Sequence, residues 1–437
     1  MEYHPGIYAA RREAFVAAMG EGIAIFPAAP ESIRSNDTGY RYRQDSDFHY
    51  LTGFPEPEAL CLLSPQHEKE RFILFVRPRD KEKEVWTGRR FGAEGALEIF
   101  GADAAYTIDK LDEILPQHLA TAEKVYYNLG RDERMNAKVL DLMNRARMMR
   151  PRNGRGPVSL IDPGEILHEL RLFKSEGELG LMYRAITAST AAHQAAMTQT
   201  RPGMYEYEIE ALLEFQFRRL GAQGPAYPSI VASGANATIL HYIENTRQMQ
   251  DGDLLLIDAA AEFSCYCSDV TRTFPVGAQF SPVQRDIYSL VLTSQKEAIT
   301  MIRPGVRFDD VHMRATEILV DGLRGFGLLS GETKEIIEKG EHRKFYMHRT
   351  SHWLGMDVHD VGKYKLGDES RLLEPGMVLT VEPGIYIAED AEGVDARFRG
   401  IGVRIEDDVL VTADGYEVLT KAIPKEIEDI QALRKGM

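Results

Sequence analysis

The stretch DLLLIDAAAEFSCYCSDVTRTFP, residues 253–275, decides how this chain is read. Its apolar runs predict two buried strands, yet Asp258 ends the first and Asp269 falls inside the second. An ionised carboxylate in a core costs several kcal/mol unless water, a hydrogen-bond donor or a cation compensates it. A strand-end acid that meets solvent is ordinary. Two acids in one hairpin call for a wider search of the chain.

The search finds a repeat. KSEGELGLMYRAITASTAAHQAAMTQT predicts a long helix that opens on a Ser175/Glu178 capping box and stops at Arg201-Pro202-Gly203; YEYEIEALLEFQFRRLGA predicts a second. About a hundred residues on, PVQRDIYSLVLTSQKEAITMI, Arg303-Pro304-Gly305 and FDDVHMRATEILVDGLRGFG restate the pattern. The strands repeat too. Gly252 precedes Asp258 by six residues through DLLLI, and Gly376 precedes Glu382 by six through MVLTV. CSDVTRTF then places Asp269 in a strand, and IGVRIEDDVLV places Glu406 in its counterpart. If the halves pack about a pseudo-twofold axis, the four acids converge near it.

Four converging carboxylates repel one another and need positive charge among them. By strand alternation Arg404 shares a face with Glu406 and can serve one acid. Two divalent ions would serve all four. YMHRTSHWLGMDVHDVG, residues 346–362, adds His348, His352 and His359, any of which reads singly as a core or surface residue. Together, ahead of the Glu382 strand, one can complete a metal's coordination and another can move protons or meet a substrate oxygen. Oxygen ligands with one nitrogen suit manganese, with zinc, cobalt or iron conceivable. Two ions about 3.5–4 Å apart would activate a water and polarise a carbonyl, which describes metal-assisted hydrolysis.

Composition narrows the rest. The 437 residues, 44% of them hydrophobic, suffice for two domains. A net charge of −15 argues against nucleic acid or an anionic membrane as partner. Arg145–Gly156, the one basic run, reads as a solvated Pro/Gly-rich connection. Cys61, Cys265 and Cys267 are too few for a disulfide framework and fit a reducing compartment, with the cytoplasm as default. The first nineteen residues carry charges at helical spacing where a signal peptide needs an unbroken apolar stretch. Runs near 22, 58, 71 and 124, separated by helix-compatible stretches, predict a small α/β domain over residues 1–172, ahead of a second domain at 173–437.

In IDAAAEFSCYCSDVTRTFP, TSHWLGMDVHDVG, LTVEPGIYI and GIGVRIEDDVLVT, in that order, the chain resembles the metallopeptidase family with the pita-bread fold, and within it the aminopeptidase P branch. RSNDTGYRYRQDSDFHYLTGFPEPEA is similar to that branch's amino-terminal domain. The resemblance implies a small creatinase-like α/β domain followed by a duplicated α+β pita-bread domain. It implies Asp258, Asp269, His352, Glu382 and Glu406 as ligands of two Mn2+ per chain, Asp269 and Glu406 bridging. Glu382 would also shuttle a proton, His241 in ATILHYIEN and His359 would act at the scissile bond, and Arg404 would stand behind the ligands.

The activity implied is removal of the first residue from peptides with proline second, by a hydroxide bridging the two ions. Ser351 before His352 and Trp353 after it favour this branch over the Xaa-Pro dipeptidases. Those remain the rival, with a non-catalytic peptide-binding protein as the other alternative. Proline's amide nitrogen carries no hydrogen and its ring fixes φ, so such a bond asks for a dedicated site. An apolar shelf for the ring could come from Tyr386 and the histidine segment. His348 binds substrate or braces its loop. Trp86, in VWTGRRFG, is either a buried structural residue or, as the resemblance hints, closes a site across a homodimer or homotetramer.

Overall fold

The computed structural model describes residues 5–434, which divide into two compact units, one up to Leu170 and one from Arg171 onward. The first is built on a six-stranded mixed sheet in the order Ala104–Thr107, Phe72–Val76, Leu60–Leu63, Ile23–Pro27, Lys124–Tyr127 and Ser159–Ile161. Four of these strands are the apolar runs seen in sequence. Helices Leu111–Leu119 and Glu133–Asn153 bury Leu115, Leu119, Val139 and Leu142 against Ile25, Leu62 and Phe75. The basic run is no connection: up to Asn153 it is the end of that second helix, which tolerates Pro151 in its last turn and closes on Gly154 in the left-handed region.

The second unit repeats itself. Helices Glu176–Gln199 and Glu206–Arg219 pack together over the ladder formed by Ile230–Ser233, Leu254–Asp258 and Thr271–Pro275. Helices Pro282–Thr300 and Phe308–Gly325 do the same over Val378–Val381, Asp407–Val411 and Tyr416–Val418. The first helix starts as its sequence dictates, with Ser175 Oγ accepting from Glu178 N and Glu178 Oε2 accepting from Ser175 N. Ala188, Ala192 and Ala196 let it lie close to the sheet, where Leu255, Ile257 and Phe274 are fully buried.

Register corrects the carboxylate argument. Asp258 faces Thr271 across its ladder, and Val381 faces Asp407 across the other. Aligned on their Gly252 and Gly376 turns, the ladders make Asp258 and Glu382 true equivalents, but the equivalent of Glu406 is Thr271 and that of Asp269 is Arg404. Asp269 and Glu406 also lie outside a strand, each just ahead of one. Ser264 and Cys265 take positive φ of 52° and 64° in the turn between Ala261–Phe263 and Tyr266–Cys267, and the ladder strand begins only at Thr271. Residues two apart still share a face, so all four acids reach the same place by two different routes. The axis is visible in the bonds, because equivalents pair with each other: Thr271 Oγ1 donates to Glu406 Oε2 at 2.6 Å and Arg272 Nη2 to Asp407 Oδ1 at 2.7 Å.

Candidate metal centre

Asp258, Asp269, Glu382 and Glu406 line one cavity of 720 Å³ together with His241, His348, His352, His359 and Arg404. His352 stands at the centre of the donor set. Its Nδ1 meets the Trp353 carbonyl oxygen at 3.0 Å, which turns Nε2 toward Asp269 Oδ2 at 3.3 Å and Glu382 Oε1 at 3.6 Å. One ligand atom from each of Asp269, His352 and Glu406 lies within 4.8 Å of the others. Atoms bound at about 2.0–2.2 Å around one ion stand roughly 3–3.6 Å apart, and the 3.3 Å between His352 Nε2 and Asp269 Oδ2 falls in that range. A backbone acceptor behind a ligating histidine is the usual means of fixing its tautomer.

Charge tells the same story. Burial, then Asp269, Glu382 and Asp258, push the Glu406 carboxyl well above the ordinary carboxylate range. Burial with Asp269 and Asp258, against His352 and Arg404, lifts Glu382 to about 7, and burial raises Asp258 despite Arg404. For His352 burial works against the charged form, but the bond to Asp269 and the charge of Glu382 prevail and lift it to about 9. Without an ion, protons must stand in for the missing positive charge. Side chains behind the donors hold them in place: Tyr227 Oη meets Asp258 Oδ1 at 2.7 Å and Asp269 Oδ1 at 2.6 Å. Arg404 reaches Asp258 Oδ2 at 2.6 Å, Tyr386 Oη at 3.0 Å and Thr271 Oγ1 at 3.0 Å.

The remaining sequence candidates separate here. His359 packs edge-on against His352, ring centroids 4.5 Å apart, and burial, then the His352 charge, hold it below its usual pKa. His348 is bonded rather than free: Nδ1 to the Arg349 carbonyl and Nε2 to Tyr386 Oη, both at 2.8 Å, with Glu382 Oε2 3.6 Å from Nδ1. Tyr386 is 3% exposed and is not among the lining residues. It stands behind the wall, its hydroxyl engaged by His348 and Arg404, and gives no shelf for a ring. Trp86 is 87% exposed on the Lys81–Thr87 helix of the first unit, so the buried reading of it fails.

Sequence reasoning passed over Tyr227 and Thr271, neutral residues whose importance lies in where the ladders put them. It also passed over the far wall of the cavity, Phe308, Asp309, Arg349 and Tyr364, drawn from a helix and two loops. Phe308 and Tyr364 pack on each other and on Trp353, with ring centroids 4.7–5.5 Å apart, and form an aromatic face. Among the described residues no helix is long and apolar enough to cross a membrane.

Comparison with known proteins agrees with this geometry. Residues 180–413 match the model of metallopeptidase family M24, and residues 8–126 match that of the aminopeptidase P amino-terminal domain. The Xaa-Pro aminopeptidase of Escherichia coli is 46% identical over 425 residues, 97% of this chain and 96% of its own. Human Xaa-Pro aminopeptidase 3 is 35% identical over 410 residues, 92% of this chain and 79% of its own. Among solved structures, Pseudomonas aeruginosa aminopeptidase PepP superposes with a TM-score of 0.97 at 48% identity, covering 100% of this chain and 99% of that one. A zinc-substituted E. coli aminopeptidase P in complex with product gives 0.96 at 44%, with the same coverage. Duplicated ladders, a carboxylate cluster at their axis and full-length likeness to these enzymes converge: this chain belongs to metallopeptidase family M24, in its aminopeptidase P branch.

Proposed function

We propose that this metalloexopeptidase is an Xaa-Pro aminopeptidase that removes the first residue of peptides whose second residue is proline, with two divalent ions held by Asp258, Asp269, His352, Glu382 and Glu406. The observation that carries the reading is four carboxylates around one imidazole facing a cavity, Asp269 and Glu406 buried and Asp258 and Glu382 half-buried, with Asp269, Glu406 and His352 offering ligand atoms within 4.8 Å of one another. When bound, a pair of ions, manganese by the oxygen-rich donor set, supplies an activated water and an electrophile for the substrate carbonyl.

The chain's own residues do the rest. The acids offer a negative pole to the substrate's free amino terminus, which sets the cut after the first residue. His241 and His359 flank the place of the scissile carbonyl and donate to its oxygen as charge develops. Glu382, within 3.6 Å of both His348 and His352, relays a proton to the departing prolyl nitrogen, which has no hydrogen of its own. Arg404 neutralises Asp258 and, through Tyr386, orients His348. A cavity of 720 Å³ leaves room for peptide beyond the proline, which favours an aminopeptidase over a dipeptidase. The reading carries with it a homo-oligomer and residence in the cytoplasm, the latter supported by three buried cysteines without a disulfide.

The test is an assay with an Xaa-Pro-Xaa tripeptide and an Xaa-Pro dipeptide, after chelation and after manganese is restored. The tripeptide should be cleaved only with metal present. Preference for the dipeptide would move the chain to the dipeptidase reading. Folded, metal-loaded protein that cleaves neither would make it a peptide-binding protein.

A further inference from the structure

A second set of metal-ligand side chains lies in the first unit and has no part in the chemistry proposed above. His67 and Glu70 sit in the turn between strands Leu60–Leu63 and Phe72–Val76, and His118 lies in the last turn of helix Leu111–Leu119. One ligand atom from each falls within 4.8 Å of the other two, and the imidazole centroids are 4.8 Å apart. His118, 3% exposed, meets Ser64 Oγ through Nδ1 at 2.9 Å and so turns Nε2 to Glu70 Oε2, 3.6 Å away. That is too long for a hydrogen bond and close to the roughly 3.4 Å that separates two ligands on one tetrahedral ion.

Glu70 is fixed in turn, because Tyr106 Oη donates to its other oxygen at 2.7 Å. Each inner ligand thus has an oriented partner behind it, as ligating histidines and carboxylates require. A helix carboxyl end also favours a cation beside it. His67 is exposed, and its Nδ1 now accepts Glu70 N–H at 2.9 Å. To ligate, its ring must leave that bond and swing inward, a small movement for an exposed side chain.

We propose that His67, Glu70 and His118 form a zinc site on the amino-terminal unit. Two imidazoles and one carboxylate suit zinc, with water as the fourth ligand. Its place in the turn would tie the strand pair to the helix that packs on it.

The test uses the full chain, stripped by chelation and dialysed to equilibrium against micromolar Zn2+. Bound zinc is counted by mass spectrometry in the wild type, His67→Ala and His118→Gln. The wild type should hold one zinc per chain more than either variant, whatever the other centre holds. Tyr106→Phe should weaken that zinc by about 10–100-fold. Cobalt in its place should give tetrahedral absorption bands that are lost in both histidine variants, while hydrolysis of an Xaa-Pro-Xaa peptide is unchanged. Equal zinc in all three proteins would overturn the proposal. If His118→Gln fails to fold, His67→Ala, at an exposed position, decides.

Discussion

Glu406 and Asp407 are neighbours in sequence at the start of strand Asp407–Val411, Glu406 just ahead of it, both buried, and they meet opposite fates. Asp407 accepts from Arg272 at 2.7 Å, Lys425 at 2.6 Å, Gln295 at 2.7 Å and Thr420 at 2.6 Å. Burial works against its charge, yet Arg272 and Lys425 hold the carboxyl well below its ordinary range. Glu406 has the Thr271 hydroxyl and a share of Arg404, and its carboxyl is pushed the other way. The chain can therefore complete a buried acid with its own cations. On the cavity face it leaves the charge short, and the shortfall is where divalent ions fit. The same division recurs at His359, turned to the cavity, and Asp360, turned to Lys174 and Arg171.

Exchange of these acids should break the comparison most visibly. Glu406→Ala should abolish turnover of an Xaa-Pro-Xaa peptide while circular dichroism stays native. In the stripped protein Glu406→Gln should raise the unfolding temperature, since it removes an acid whose charge a hydroxyl and a shared guanidinium do not balance. Asp407→Asn should do the reverse. It strands Arg272 and Lys425 around a neutral group and should cost about 3–5 kcal/mol by denaturant unfolding, with or without metal. If the two substitutions behave alike, the contrast between the faces is empty.

Thr271 sharpens the point at a smaller scale. Its hydroxyl steers one oxygen of Glu406 and meets Arg404, so Thr271→Val should weaken manganese binding by about 10–100-fold, with Thr271→Ser restoring it. Titration calorimetry reads this without turnover.

The smallest expected effect concerns pH. Burial works against the Asp360 carboxylate, but Lys174 and Arg171 hold its pKa below the usual value. A depressed carboxylate stabilises the fold fully above its unfolded pKa of about 3.9, and that stability is lost as pH falls through the lower folded value. The stability difference between wild type and Asp360→Asn should therefore be constant near neutrality and shrink below about pH 4. A difference that grew on acidification would contradict the assignment.

Much of this was legible in the chain before folding. Apolar runs gave four of the six strands of the first unit's sheet and the Leu254–Asp258, Thr271–Pro275, Val378–Val381 and Asp407–Val411 strands of the second, and the twin Arg-Pro-Gly stops with the Gly252 and Gly376 spacings exposed the duplication. The register was not legible. A turn of Ser264 and Cys265 in the left-handed region lacks the Asn-Gly signal that such turns usually carry, so Asp269 was assigned to a strand it precedes. The equivalence of Glu406 with Thr271 depends on pairing across the sheet, which one strand's sequence does not encode. Tyr386 looked like an apolar shelf because its ring is visible in sequence and its hydroxyl's partners, His348 and Arg404, are not. The aromatic face of Phe308 and Tyr364 joins parts of the chain more than fifty residues apart.

The central claim is that the cavity face lacks positive charge that metal supplies. Titration of chelator-stripped protein with Mn2+ in a calorimeter, run in two buffers of different ionisation enthalpy, tests it directly. Two ions per chain should bind with release of protons, as metal displaces those held by His352 and the acids, and Glu406→Ala should lose that binding. Folded protein that takes up no manganese, or binds it equally well without Glu406, would contradict the account.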